Sequence, residues 1–157
     1  MDTKLKYVAL TVLAVASIGS SCRSDANDAS SGASWGGAPT GLAVSNDIAG
    51  SVKEWKVQVD PTISRAGDVT FTIDNLGTIG HEFLIVKTDI PPGEIPVEGD
   101  HFPEDAEGIE VIDEIGEYDA GTTETLSVTL ERGSYQLVCN LPGHYVNGMY
   151  LGFDVVT

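Results

Sequence analysis

From Ser51 to the C-terminus, apolar and polar residues alternate with a period of two. Trp55, Val57 and Val59 fall on one face of this pattern, as do Val69, Phe71 and Ile73, then His81, Phe83 and Ile85. Leu126, Val128 and Leu130 follow, then Tyr135, Leu137 and Cys139, and last Leu151, Phe153 and Val155. Successive side chains of a strand point to opposite faces, so each set predicts a half-buried strand. Turn residues occupy the breaks: Asp60-Pro61, Ala66-Gly67-Asp68, Asn75-Leu76-Gly77, Ala120-Gly121 and Arg132-Gly133. Short strands separated in this way predict an all-β domain over residues 51–157, built as an antiparallel sandwich or barrel.

Two stretches depart from the rhythm. Residues 88–121 hold Pro91, Pro92, Pro96 and Pro103 among a dense run of acids that includes Glu94, Glu98, Asp100, Glu104 and Glu107. This predicts a long solvated excursion ending in a strand from about Ile109 to Glu117. With His101 the acids could serve as cation ligands, although a charge run is usually a wet face. Arg23 to about Gly50 is Ser, Gly, Ala, Asn and Asp with few large apolar groups apart from Trp35, a composition that cannot offset chain entropy by burial. It predicts a flexible linker over residues 22–50.

Ahead of the linker, Lys4 and Lys6 precede an apolar run from Tyr7 to Ile18 and the small residues Gly19-Ser20-Ser21, the form of a secretory signal over residues 1–21. The run is shorter than the ~20 apolar residues that span a bilayer as a helix. The expectation is export, to the periplasm or the outer face of the cell membrane. Cys22 follows directly and is the candidate lipidation site, so any membrane association would run through this N-terminal anchor. Gly19 stands where lipoprotein signals usually carry Leu.

Composition then narrows the function. Lys plus Arg number 8 against 24 Asp plus Glu, giving a formal charge of −16. Such a surface repels phosphate backbones and excludes nucleic acid as a partner. The 157 residues suit one domain with a tail rather than a multi-domain enzyme. Three histidines, His81, His101 and His144, are too few for the trinuclear centre of a multicopper oxidase.

After Cys22 the only cysteine is Cys139, and after Met1 the only methionine is Met149. Both lie in the window Cys139-Asn140-Leu141-Pro142-Gly143-His144-Tyr145-Val146-Asn147-Gly148-Met149, so a thiol, an imidazole and a thioether recur five positions apart. Pro142-Gly143 turns the chain between the first two, and Gly148 permits another bend before the third. A loop between two strands can therefore aim all three at one point. His81, at the head of another strand, can bring a second imidazole. One thiolate, two imidazoles and a weak thioether suit copper in both of its oxidation states. Zinc would accept the Cys and His donors but has little use for the thioether. Each residue also has a plainer reading: Cys139 as a buried structural thiol, His81 as a core histidine, Met149 as core filler, His144 as a loop residue. A Cys22–Cys139 disulfide is a further alternative, which requires the tail to reach an inward-facing thiol.

Together these residues resemble the type 1 blue copper proteins, or cupredoxins. The resemblance covers about residues 51–157 and rests on Asn75-x-Gly77-x-x-x-His81-Glu82-Phe83 and Cys139-x-x-Pro142-Gly143-His144-x-x-x-Gly148-Met149. The ligand spacing is similar to that of the auracyanin, rusticyanin and sulfocyanin group. The resemblance implies an eight-stranded antiparallel Greek-key β-sandwich with one type 1 copper ion at one end. His81, Cys139 and His144 would be its strong ligands and Met149 its axial one. It further implies an electron carrier rather than an enzyme, with transfer through the edge of His144 and a docking patch of Leu141, Pro142, His144 and Tyr145. The partners implied are redox proteins such as cytochromes, a terminal oxidase or a reaction centre, steered by the acidic surface. In the plastocyanin branch an asparagine follows the first histidine. Here Glu82 does, and Asn140 follows the cysteine, so the two roles are expected to be exchanged, with Glu82 accepting hydrogen bonds from Asn140 or its backbone. A copper carrier or buffer of the cell envelope, and a metal-free interaction module on the same scaffold, are the competing readings.

Overall fold

The structure is a computed structural model that describes residues 44–157. The signal over 1–21, the lipidation site Cys22, Trp35 and most of the linker lie outside the described residues.

Among the described residues, nine strands form two sheets. β1 (Asp47–Lys53), β2 (Lys56–Asp60), β4 (Gly67–Asn75) and β7 (Thr123–Leu130) make one, in the order β2-β1-β4-β7. β3 (Ile63–Arg65), β9 (Tyr150–Val156), β8 (Gly133–Val138), β5 (His81–Lys87) and β6 (Glu110–Tyr118) make the other, in the order β3-β9-β8-β5-β6. This is the expected all-β sandwich, with nine strands in place of eight. The extra one arises because β2 and β3 are a single run broken at Pro61, which has no N–H to give a ladder. There the chain leaves the first sheet for the second, and it returns in β4 running the same way as β1. Two pairings are consequently parallel, β1 with β4 and β3 with β9, so the sheets are mixed rather than wholly antiparallel.

The folded part also begins earlier than the predicted boundary at residue 51. β1 starts at Asp47, and Ile48 is buried in the core. A sparse apolar content hid this strand, which the parallel partner β4 holds in place through Asp47↔Thr70 to Val52↔Asn75.

Between the sheets, Val52, Val57, Val69, Phe71 and Ile73 meet Phe83, Ile85, Leu137 and Phe153. The Phe71 ring lies 5.5 Å from both Phe83 and Phe153. Each such burial contributes about 1.5–3 kcal/mol. Trp55 does not join this face. It sits in the β1–β2 turn, and the strand begins only at Lys56, so its side chain remains 45% exposed.

The excursion after β5 corrects the solvated reading. Its acids do face water, but Ile95 and Phe102 are buried against Leu84, Val86, Val138 and Tyr145 on the outer side of the five-stranded sheet. Gln136 donates through Nε2 to the carbonyl oxygens of Ile90 and Pro91, and Thr88 Oγ1 donates to Gly108 O, which closes the segment onto the sheet. β5 and β8 are thus covered on both faces. β6 follows as an edge strand whose Asp113, Glu114 and Glu117 discourage pairing with another chain.

Candidate metal centre

His81 opens β5, and two local features aim it inward. Asn75, at the end of β4, accepts the Gly77 N–H at Oδ1 (3.0 Å) and donates through Nδ2 to Ile79 O and Tyr118 O (3.0 and 3.1 Å). These bonds fix the loop that delivers His81. Next, the β5–β6 register shifts between His81 and Phe83, a bulge of the kind that redirects side chains beside functional sites. Glu82 has no opposite residue in either neighbouring strand, and its N–H turns instead to Cys139 Sγ at 3.4 Å.

Cys139 follows β8 directly, and its loop is closed by its own backbone. Cys139 N–H donates to Met149 O (3.0 Å), His144 N–H to Leu141 O (2.8 Å), and Met149 N–H to His144 O (3.2 Å). The turn after His144 is a short 3-10 helix, Tyr145–Asn147, ended by Gly148 with φ 110°. Gly143 has φ 82°. Both values lie in the left-handed region that a residue without Cβ enters at no steric cost, so the two glycines fold the loop as the spacing requires.

The outcome is convergence. His144 Nδ1 stands 3.2 Å from Cys139 Sγ and 3.2 Å from His81 Nδ1, and His81 Nδ1 stands 3.9 Å from the sulfur. These three ligand atoms lie within 4.8 Å of one another, and all three residues are buried. Met149, fully buried, completes the group of four. Burial lowers the pKa of both imidazoles, in His81 with help from neighbouring His144, which favours the neutral form that can donate a lone pair. Burial also pushes the Cys139 thiol up to about 11 in the metal-free protein. A cation held by these residues would reverse that preference and stabilise the Cys139 thiolate. Two imidazole nitrogens and one sulfur facing inward, with a thioether beside them, fit a copper ion by donor type and number. His101 is elsewhere, exposed and bonded to Asp100 Oδ1 at 3.0 Å.

Around this group, Glu82 Oε1 accepts the backbone N–H of Asn140 at 2.7 Å, so the two residues named from sequence do meet, through the main chain of one. The Asn140 side chain has a different task. It bonds both ways to the Phe102 backbone, Oδ1 accepting from N and Nδ2 donating to O, each at 3.0 Å, and Nδ2 reaches Glu104 Oε1 at 3.2 Å. With Gly143 N–H donating to Asp100 O (2.9 Å), the excursion is strapped to the ligand loop.

The expected docking patch needs one correction. Pro142 is exposed and Leu141 half-buried, but Tyr145 points inward, its ring 5.0 Å from Phe102 and its hydroxyl accepting the Ile95 N–H. The outer core claims it. His144 itself is only 7% exposed, because the Trp55 ring stands edge-on to it at 5.1 Å. The exposed apolar side chains beside His144 are those of Pro142, of Val146 in the same loop and of Trp55. Sequence reading placed Asn75 in the motif leading to His81 without assigning it a role, and missed Glu54 and Trp55 as parts of the site. The turn signal at Asn75 was visible, but nothing local marks a β1–β2 turn as lying against a histidine 89 positions later.

No family model matches the sequence, and no curated protein matches it. Solved structures do. A dithionite-reduced auracyanin from Roseiflexus castenholzii is 25% identical, with 73% of this chain and all of that chain covered at a TM-score of 0.55. An azurin from Methylomonas sp. strain J is 14% identical over 71% of this chain and 98% of that one, at 0.51. A rusticyanin, described as a copper protein, is 17% identical over 69% of this chain and 76% of that one, also at 0.51. The chain has the cupredoxin fold, and within it His81, Cys139, His144 and Met149 lie close together.

Proposed function

We propose that the protein is a type 1 blue copper protein that carries single electrons between redox partners. The observation that carries this reading is the buried convergence of Cys139 Sγ with Nδ1 of His81 and of His144, beside Met149. Copper bound there supplies a one-electron couple. The chain's own residues do the rest. The β5 bulge and the glycine-bent loop hold the donors before any ion arrives, and the apolar walls exclude water, so little has to move between oxidation states.

Trp55, packed edge-on to His144, and the exposed Pro142 and Val146 of the ligand loop form an apolar rim beside it, the form of a transient docking face. The acidic surface beyond it steers partners with basic faces, cytochromes, a terminal oxidase or a reaction centre among them. Export follows from the N-terminal pattern, with the carrier held outside the cytoplasm and Cys22 as a lipid attachment point. Among the described residues no helix is long and apolar enough to cross a membrane.

The test is to load the full chain with Cu(II) and record its visible spectrum before and after ascorbate. An intense thiolate-to-copper band that bleaches and then returns on oxidation supports the reading. Copper bound without that band favours a carrier, and no copper binding favours an interaction module.

A further inference from the structure

The His81 ring has two nitrogens, and the site uses one. Nδ1 faces Cys139 and His144, while Nε2 is buried without a hydrogen-bond partner. An imidazole that binds metal through Nδ1 carries its proton on Nε2, and what faces that N–H sets the ring's tautomer and donor strength. What faces it here is a carboxylate. Glu54 Oε1 stands 3.9 Å from Nε2. The same oxygen accepts Thr78 N–H (2.7 Å), Thr78 Oγ1–H (3.0 Å) and Ile79 N–H (3.1 Å), so the loop leading into His81 clamps the carboxylate in place. The other oxygen, Oε2, turns to the same spot as the ring. A Cβ added at Gly77 would lie 2.8 Å from His81 Nε2, 2.9 Å from Glu54 Oε2 and 3.1 Å from Asn75 Oδ1. The absence of a side chain at Gly77 is therefore what lets the carboxylate approach the ring. Three N–H and O–H donors on Oε1 stabilise the ionised form of this carboxyl group.

We propose that Glu54 is a positioning residue for the metal centre: its carboxylate holds His81 with the proton on Nε2 and Nδ1 free, and it biases a bound copper ion toward the oxidised state. The inference rests on the copper reading above. A fixed negative charge behind a ligating imidazole strengthens the donor and favours the more positive metal. Removing the charge while keeping the shape should raise the reduction potential.

The experiment compares the copper-loaded full chain with its Glu54→Gln variant, which keeps an oxygen for Thr78 and Ile79. The expected result is an upward shift in potential with the thiolate-to-copper band retained. An unchanged or lower potential overturns the proposal. Nitrogen-resolved NMR of the metal-free parent gives an independent reading, also where the variant does not fold. His81 protonated at Nε2 agrees with the role, and protonation at Nδ1 overturns it. A parent without the copper band refutes the copper reading instead, and the tautomer then decides the role of Glu54.

Discussion

The described residues form two apolar cores, and these differ in how they are held. The inter-sheet core is built by strand alternation alone, with Phe71, Phe83, Ile85, Leu137 and Phe153 meeting across the sandwich. The outer core is smaller and lies beneath a segment without long strands. It consists of Ile95 and Phe102 seated on Leu84, Val86, Val138 and Tyr145. Apolar contact does not hold that segment unaided. Asn140 pairs with the Phe102 backbone, Tyr145 accepts the Ile95 N–H, and Gly143 donates to Asp100. Each of these three straps begins in the Cys139–Met149 loop. The first core thus makes the fold, while the second braces the ligand loop from outside, so a metal site can depend on residues that never touch the metal.

The sharpest way to break the comparison is at Phe71. Phe71→Ala should cost about 3–5 kcal/mol of unfolding free energy in urea, because a fully buried ring at the centre of the sandwich leaves a cavity that paired strands cannot close. Phe102→Ala should cost about 3 kcal/mol, at the low end for that substitution, since an excursion can collapse where a sheet cannot. Its distinguishing sign is local: amide exchange should rise over 94–104 and the ligand loop while the inter-sheet strands stay protected. Gly77→Ala should lower copper affinity by about 10–100-fold, measured by competition with a chelator, because the new methyl presses on His81 Nε2. Asn140→Ala, which deletes the double bond to Phe102, should cost about 1–3 kcal/mol and reproduce the exchange signature of Phe102→Ala. At the bottom of the scale, Glu131→Gln breaks the exposed ion pair with Lys87 and should leave the urea midpoint where it was.

What could be read in advance follows the same division. Val69, Phe71 and Ile73 announce their strand because a half-buried strand writes its periodicity into the chain. The outer core was masked by the prolines and acids around Ile95 and Phe102. A signal did exist in its floor, since Phe83-Leu84-Ile85-Val86 is an unbroken apolar run, and such a run means a strand covered on both faces. In the site, Cys139, His144 and Met149 were legible because they are rare residues close together in the chain. Glu54 and Trp55 were not, because their places against His81 and His144 exist only once the β1–β2 turn meets two distant loops. Tyr145 was misassigned for a related reason: its neighbours in sequence face out, but a core that the pattern did not reveal draws its ring in.

X-ray absorption at the copper edge, recorded on the loaded full chain, tests the central claim most directly. The account predicts one short sulfur ligand and two imidazole nitrogens in the first coordination sphere. A sphere of nitrogen and oxygen alone, without sulfur, would contradict it.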